Sequence, residues 1–205
     1  MKKILIIFMF LFLLTGCGNN SNELVMVTEA GFAPYEYYED GKIVGVDVDI
    51  ANEIAKKMGK KLVIKDVAFD SIINEVKSNK SDFGAAGISY SEEREKEVDF
   101  SINYTTSKQV VVIKKDSGIT VDNLDGKKIA VQLGSIGDGY VTSNYKNSEI
   151  VRQKKYLQAI EDLKSDKVDC VVMDELPALE FVKVNDNLMV LDKELTSDSY
   201  GMIVK

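Results

Sequence analysis

The sequence predicts an α/β protein of two lobes, each a mostly parallel sheet with flanking helices. Short β-branched runs alternate with stretches of helical periodicity along nearly the whole chain, and repeated β-α-β units place strands in parallel beneath helices. The alternation halts at a lone β-branched run, Gln109 to Ile113, and then restarts, so two sheets are expected rather than one. The 205 residues suffice for two small lobes, and 45% hydrophobic with 29% charged residues is the balance of a globular chain.

Taken in order, the chain begins with Lys2 and Lys3 and an apolar run from Ile4 to Leu14. As a helix this run spans about 16 Å against a bilayer core of roughly 30 Å, so residues 1–16 read as an export leader rather than a spanning helix. Leu14-Thr15-Gly16-Cys17 resembles a lipobox, which implies a Cys17 carrying acyl chains such as palmitate at the mature N-terminus. The polar residues 17–22 then serve as a tether. Leu24 to Thr28 is expected as a strand, followed by a loop with Gly31, Pro34 and an Asp40-Gly41 turn. Ile50, Ile54 and Met58 at helical spacing mark a helix over Asp47–Met58 that Gly59 stops. Lys61–Val67 is a strand, Asp70–Ser78 a helix, and Asp82–Ile88 a buried strand, small and apolar throughout.

Beyond the strand Gln109–Ile113, the second round comprises strands at Lys128–Gln132, Glu149–Arg152 and Val168–Met173. Helices at Ile136–Tyr145, Tyr156–Lys164 and Glu175–Val184 alternate with them, and Tyr200–Val204 closes the chain as a strand. Lobe 1 is assigned to 23–107, with 199–205 returning to it, and lobe 2 to 108–198. In such sheets a ligand lies where strand C-termini and helix N-termini converge, here the cleft between the lobes.

Composition narrows the chemistry. The chain has no histidine, which excludes Ser-His-Asp and Cys-His catalysis and leaves no transition-metal cluster, and no cofactor is expected. Its net charge is −7, more negative still without Lys2 and Lys3, and it lacks a Lys/Arg cluster; nucleic acid is not an expected partner. With Cys17 lipidated only Cys170 remains, in the apolar run Val168–Met173, and a packed core thiol is expected.

Gly45-Val46-Asp47-Val48-Asp49-Ile50 with the helix after it, GFAPYE (31–36), DFGAAGISYSEER (82–94), VDFS (98–101), DGKKIAVQLGS (125–135), VDCVVMDE (168–175) and YGMIVK (200–205) together resemble the family 3 bacterial solute-binding proteins, the amino-acid receptors of ABC importers. The resemblance covers nearly everything after the tether. It implies the two-lobed, type II periplasmic-binding-protein fold, with crossover strands near Gln109–Ile113 and Ser199–Val204. It also implies a monomer, outside the cytoplasm and tied to the membrane by Cys17, that delivers a free amino acid to the importer's permease subunits and is not an enzyme. Members run on past the block matching 200–205 with helices that cover lobe 1. This sequence stops at Lys205, so those helices are expected to be missing and apolar surface of lobe 1 exposed.

Residue by residue, the resemblance assigns Arg94 to the ligand carboxylate, which its planar fork can hold with two parallel bonds. The alternative is an exposed helical arginine paired with Glu93, Glu95 or Glu97. Asp174 would accept the ligand ammonium, the alternative being a helix N-cap, and the Gly87 carbonyl and Ser89 hydroxyl would complete that end. Gln132 to Gly139 is a glycine-rich strand-to-helix turn whose backbone N–H groups suit an anion; Ser135 and the Ile136 amide would grip the carboxylate from lobe 2. Phe32 and Phe69 would sandwich the ligand side chain, and Glu29 would meet its far end, favouring an amide or a cation. An enzyme on the same scaffold, resembling a cyclohexadienyl dehydratase, would instead use Glu29 or Asp174 as a general acid or base. A non-transporting sensor module is the third reading.

Overall fold

The computed structural model describes residues 22–205, so the expected leader, Cys17 and most of the tether lie outside the described residues. Lobe 1 opens with β1 (Glu23–Thr28) and a small antiparallel meander of β2 (Gly31–Phe32), β3 (Glu36–Glu39) and β4 (Lys42–Val44). Asp40 and Gly41 turn β3 into β4 at φ 50° and 75°, the positive values that a two-residue hairpin needs. In α1 (Val46–Lys57) Asp47 and Asp49 stand at the N-terminal end and Lys56 and Lys57 at the other, matching the helix dipole; Gly59 at φ 64° ends it. β5 (Lys61–Asp66), α2 (Ile72–Lys77), β6 (Phe83–Gly84), the single turn α3 (Glu92–Glu95) and β7 (Asp99–Phe100) follow.

The ten residues of β8 (Thr105–Lys114) then cross into lobe 2. That lobe contains β9 (Lys128–Gln132), α4 (Ile136–Asn144), β10 (Glu149–Gln153), α5 (Tyr156–Lys164), β11 (Cys170–Asp174), α6 (Glu175–Lys183) and β12 (Leu188–Val190). The chain returns along β13 (Thr196–Tyr200), antiparallel to β8, and ends in β14 (Ile203–Val204). The lobe 1 sheet has the order β5-β1-β6-β14-β7, with β5, β1 and β6 parallel and β14 antiparallel to both neighbours. The lobe 2 sheet runs β10-β9-β11-β8-β12, its first three strands parallel and β8 antiparallel to β11 and β12. The fold is the expected one: two α/β lobes with mixed, mostly parallel sheets and flanking helices.

Strand alternation divides each core into two layers. In lobe 1 Met26 packs with Val48, Ala51 and Phe83 on the α1 side, while its neighbour Val27 packs with Ile72, Val76 and Ile203 on the α2 side. In lobe 2 Ile129, Val131 and Val172 meet Val141 of α4, and Ala130, Val171 and Met173 meet Ala159, Ile160 and Leu163 of α5. Full burial of each large aliphatic side chain contributes about 1.5–3 kcal/mol, so these layers hold the sheets rigid beneath the cleft.

Three segments differ from expectation. The region 31–44, expected as a loop, forms the β2-β3-β4 meander. Of the strand expected over Asp82–Ile88 only Phe83 and Gly84 pair with β1, because the chain then turns away from the sheet through Gly87 at φ 53°. Tyr200–Val204 is not one strand: Tyr200 pairs with Thr105 at the crossover, whereas Ile203 and Val204 insert between β6 and β7. Lobe 1 exposes Tyr90, Ile102 and Val204.

Candidate functional site

All ten residues singled out from the sequence line one tight cavity between the lobes. Lobe 1 contributes Glu29, Phe32, Phe69, Gly87, Ser89 and Arg94; lobe 2 contributes Gln132, Ser135, Ile136 and Asp174. The sheets explain the convergence: β1, β9 and β11 all end at the cleft, and the residues at or just after those ends are Glu29, Gln132, Ser135 and Asp174. A crevice lined by Ile73, Asn74, Glu97, Tyr140 and Thr142 leads outward, with Phe69, Arg94, Ser135 and Ile136 lining both spaces.

Arg94 owes its position to a cap. Ser91 Oγ accepts from the Arg94 N–H at 3.2 Å, which starts the turn α3 and carries the guanidinium toward the cleft. Arg94 Nη1 donates to the Ser89 carbonyl at 2.6 Å, and Nη2 donates across the cleft to the Gly134 carbonyl at 2.9 Å. The guanidinium lies 5.6 Å from the Phe69 ring centroid, a cation–π distance. Two of the three neighbouring acids are engaged elsewhere: Glu95 accepts from the Tyr90 hydroxyl, and Glu97 pairs with Lys77. Burial lowers Arg94 from its ordinary value, opposed by Asp198 and Asp174, so the fork faces a partly compensated site.

Asp174 stands at the N-cap position of α6, yet its side chain caps nothing. Oδ1 instead accepts from Ser107 Oγ at 2.9 Å and from the Tyr200 hydroxyl. The alternative reading of Asp174 as a helix cap is therefore not met: residues of the two crossover strands take its oxygen instead of the helix amides. Burial, reinforced by Asp198, pushes the carboxyl up to about 6, against the lowering by Tyr200, Gln109 and Ser107. Ser135 does cap its helix, accepting from Asp138 N–H at 3.1 Å. Asp138 in turn accepts from Gly134 N–H at 3.1 Å and is held by Arg152 at 2.9 Å, which fixes the glycine-rich turn. The Ile136 N–H heads α4, where a helix has no intrahelical acceptor.

Gly87 is held by its own N–H, which donates to Asp47 Oδ2 at 3.0 Å. A Cβ here would lie 2.5 Å from the Phe32 ring, so only glycine fits. Phe32 stacks on Tyr35 at 5.8 Å and on Tyr156 at 5.9 Å, a mixed wall of cavity and core. Elsewhere on the cavity wall the buried Glu29 accepts from Gln132 Nε2 at 3.2 Å and lies 3.0 Å from Lys155 Nζ. Burial raises its carboxyl, opposed by Lys155 and Gln132.

Sequence reasoning missed Glu36, Ala86 and Tyr156 in the cavity wall. Tyr156 was findable, since it begins α5 three residues past the end of β10, in a strand-to-helix turn like the one that holds Ser135. Glu36 sends no such signal: it is buried in β3 with neither carboxylate oxygen hydrogen-bonded, and burial and Asp47 hold it well above the usual carboxylate range. Cys170 is a core thiol, pushed up to about 12 by burial. No group of three potential metal-ligating side chains exists among the described residues, and none of their helices is long and apolar enough to cross a membrane.

Two α/β lobes closed on a cavity with charged residues of both signs define a solute-binding architecture. The chain belongs to the bacterial extracellular solute-binding proteins, family 3, whose family model matches residues 24–169. It is 36% identical over 187 residues to the arginine-binding extracellular protein ArtP of Bacillus subtilis, covering 86% of this chain and 73% of that one. It is 28% identical over 187 residues to the L-cystine-binding protein TcyJ of Escherichia coli, covering 89% and 70%. Among solved structures, the arginine-bound form of a truncated ArgBP from T. maritima is similar at TM-score 0.87 and 38% identity, covering 90% of this chain and 88% of that one. These relatives are binding proteins.

Proposed function

We propose that this protein captures a free amino acid with a polar or cationic side chain and delivers it unchanged to an ABC importer. The observation that carries this reading is the placing of Arg94, Asp174 and Glu29 on one cavity. A free amino acid taken from water needs a partner for each of its charges. Arg94, with Ser135 and the Ile136 amide, holds the carboxylate. Asp174, with Ser89 and the Gly87 carbonyl, holds the ammonium. The side chain runs between Phe32 and Phe69 toward Glu29 and Gln132. Because the gripping groups come from both lobes, binding favours closure. Hydrogen bonds from Ser107 and Tyr200 orient Asp174, and no catalytic step is proposed.

The protein acts as a monomer outside the cytoplasm, anchored through an acylated Cys17; the support is the Leu14–Cys17 motif after its short apolar run. A thermal-shift screen of the twenty amino acids tests the capture. A ligand at 100 times its Kd stabilises the fold by about 2.7 kcal/mol, and only molecules with both α-charges should do so. Equal stabilisation by the deaminated acids or decarboxylated amines would sink the reading, and a ligand recovered chemically altered would turn it into an enzyme.

A further inference from the structure

Lys155 belongs to lobe 2, at the N-terminal boundary of α5, yet its ammonium lies against lobe 1. Nζ is 3.0 Å from Glu29 Oε1 and 3.5 Å from Asp66 Oδ2. Each acid is otherwise fixed. Glu29 Oε2 accepts from Gln132, whose amide also donates to the Lys154 carbonyl at 3.1 Å. Asp66 Oδ1 accepts from the Ala30 N–H at 2.9 Å, and Oδ2 accepts from the Tyr38 hydroxyl at 3.2 Å. Glu29 Oε1, although beside the ammonium, has no aligned hydrogen bond and is buried. Of these three charges Glu29 alone lines the cavity, and Lys155 and Asp66 back it from outside the lining, so two carboxylates and one ammonium meet at this wall.

We infer that Lys155 sets how strongly the site discriminates a cationic side chain from a neutral isostere, by supplying from lobe 2 the countercharge to one of two lobe 1 carboxylates. The inference rests on the proposed capture of an amino acid and names the determinant of its side-chain class. With Lys155 in place the far end carries one surplus negative charge: a guanidinium or ammonium is favoured, and a polar neutral group is tolerated. Without it a cationic side chain would take over the lost countercharge, whereas a neutral one would leave Glu29 either buried and unpaired beside Asp66 or obliged to take a proton. Lys155 thus broadens the site, at the expense of selectivity for cations.

The test uses L-arginine and L-citrulline, which match in shape while citrulline's ureido end is neutral. Calorimetry on the wild type, Lys155→Met, Lys155→Gln and Lys155→Arg gives the ratio of their dissociation constants. Both neutral variants should raise the preference for arginine by roughly tenfold or more, less so at high salt, whereas Lys155→Arg should keep it within about threefold of wild type. Adding Glu29→Gln to Lys155→Met should pull the preference back. A merely structural lysine would weaken both ligands in parallel, and an unchanged ratio in Lys155→Met and Lys155→Gln overturns the inference while leaving the capture reading intact. Failure of the wild type to bind either ligand while another of the twenty amino acids binds overturns this inference and leaves the capture reading standing; failure with all twenty removes both.

Discussion

Asp174 makes capture depend on pH in a way that can be worked out in advance. Its carboxyl is pushed up to about 6, chiefly by burial and then by Asp198. The ligand ammonium pairs only with the ionised form, so protons compete with ligand. About nine in ten molecules have Asp174 ionised at pH 7 and about one in eleven at pH 5, so Kd should rise about tenfold between them and level off above pH 7. The same shift acts on the fold with a definite sign. A carboxyl raised above its unfolded value adds stability below that value, near 3.8, and the contribution is lost as pH rises through about 6. Asp174→Asn, which keeps an oxygen for Ser107 and Tyr200, should therefore stabilise the unliganded protein at pH 7 by up to ~3 kcal/mol while weakening capture by ~2–5 kcal/mol. Calorimetric titration in half-unit steps from pH 5 to 8, with L-citrulline to limit the influence of Glu29, measures the slope; denaturant unfolding measures stability. A flat profile in the wild type, or the same slope in Asp174→Asn, would refute the assignment of the ammonium to this carboxylate.

Other substitutions probe the remaining parts. Arg94→Lys keeps the charge but loses the fork and its bonds to Ser89 and Gly134, so Kd should rise by about 10- to 150-fold; wild-type affinity in a folded variant would remove Arg94 from the site. Gly87→Ala forces a Cβ toward the Phe32 ring at φ 53°, and should lower both affinity and stability, the latter by about 1–3 kcal/mol on denaturant unfolding. Cys17→Ser should release the protein from the membrane fraction or block its maturation, since a bacterial lipoprotein depends on several acyl chains for stable attachment; unchanged fractionation and processing would exclude Cys17 as the anchor.

Much of this protein was legible from local pattern. Lys128–Gln132 and Tyr156–Lys164 form the strand and helix their periodicity predicts, and Gly59 stops α1 where expected. The family blocks carried the ten cavity residues, and the strand-end rule explains why several of them converge. What the tertiary structure decided lies where local preference is overruled by a distant partner. Asp82–Ile88 reads as a continuous strand, yet Gly87 leaves the sheet because its N–H is claimed by Asp47, forty residues away. Tyr200–Val204 breaks because two different lobes pair its ends. The far end of the site depends most on tertiary packing: Glu29 meets Gln132, 103 positions later in the chain, and Lys155 meets Asp66 across 89. Periodicity and capping act over a few residues, where side chains share a turn or a strand face. Which charges face one another across a cleft follows from how two separately folded cores are joined.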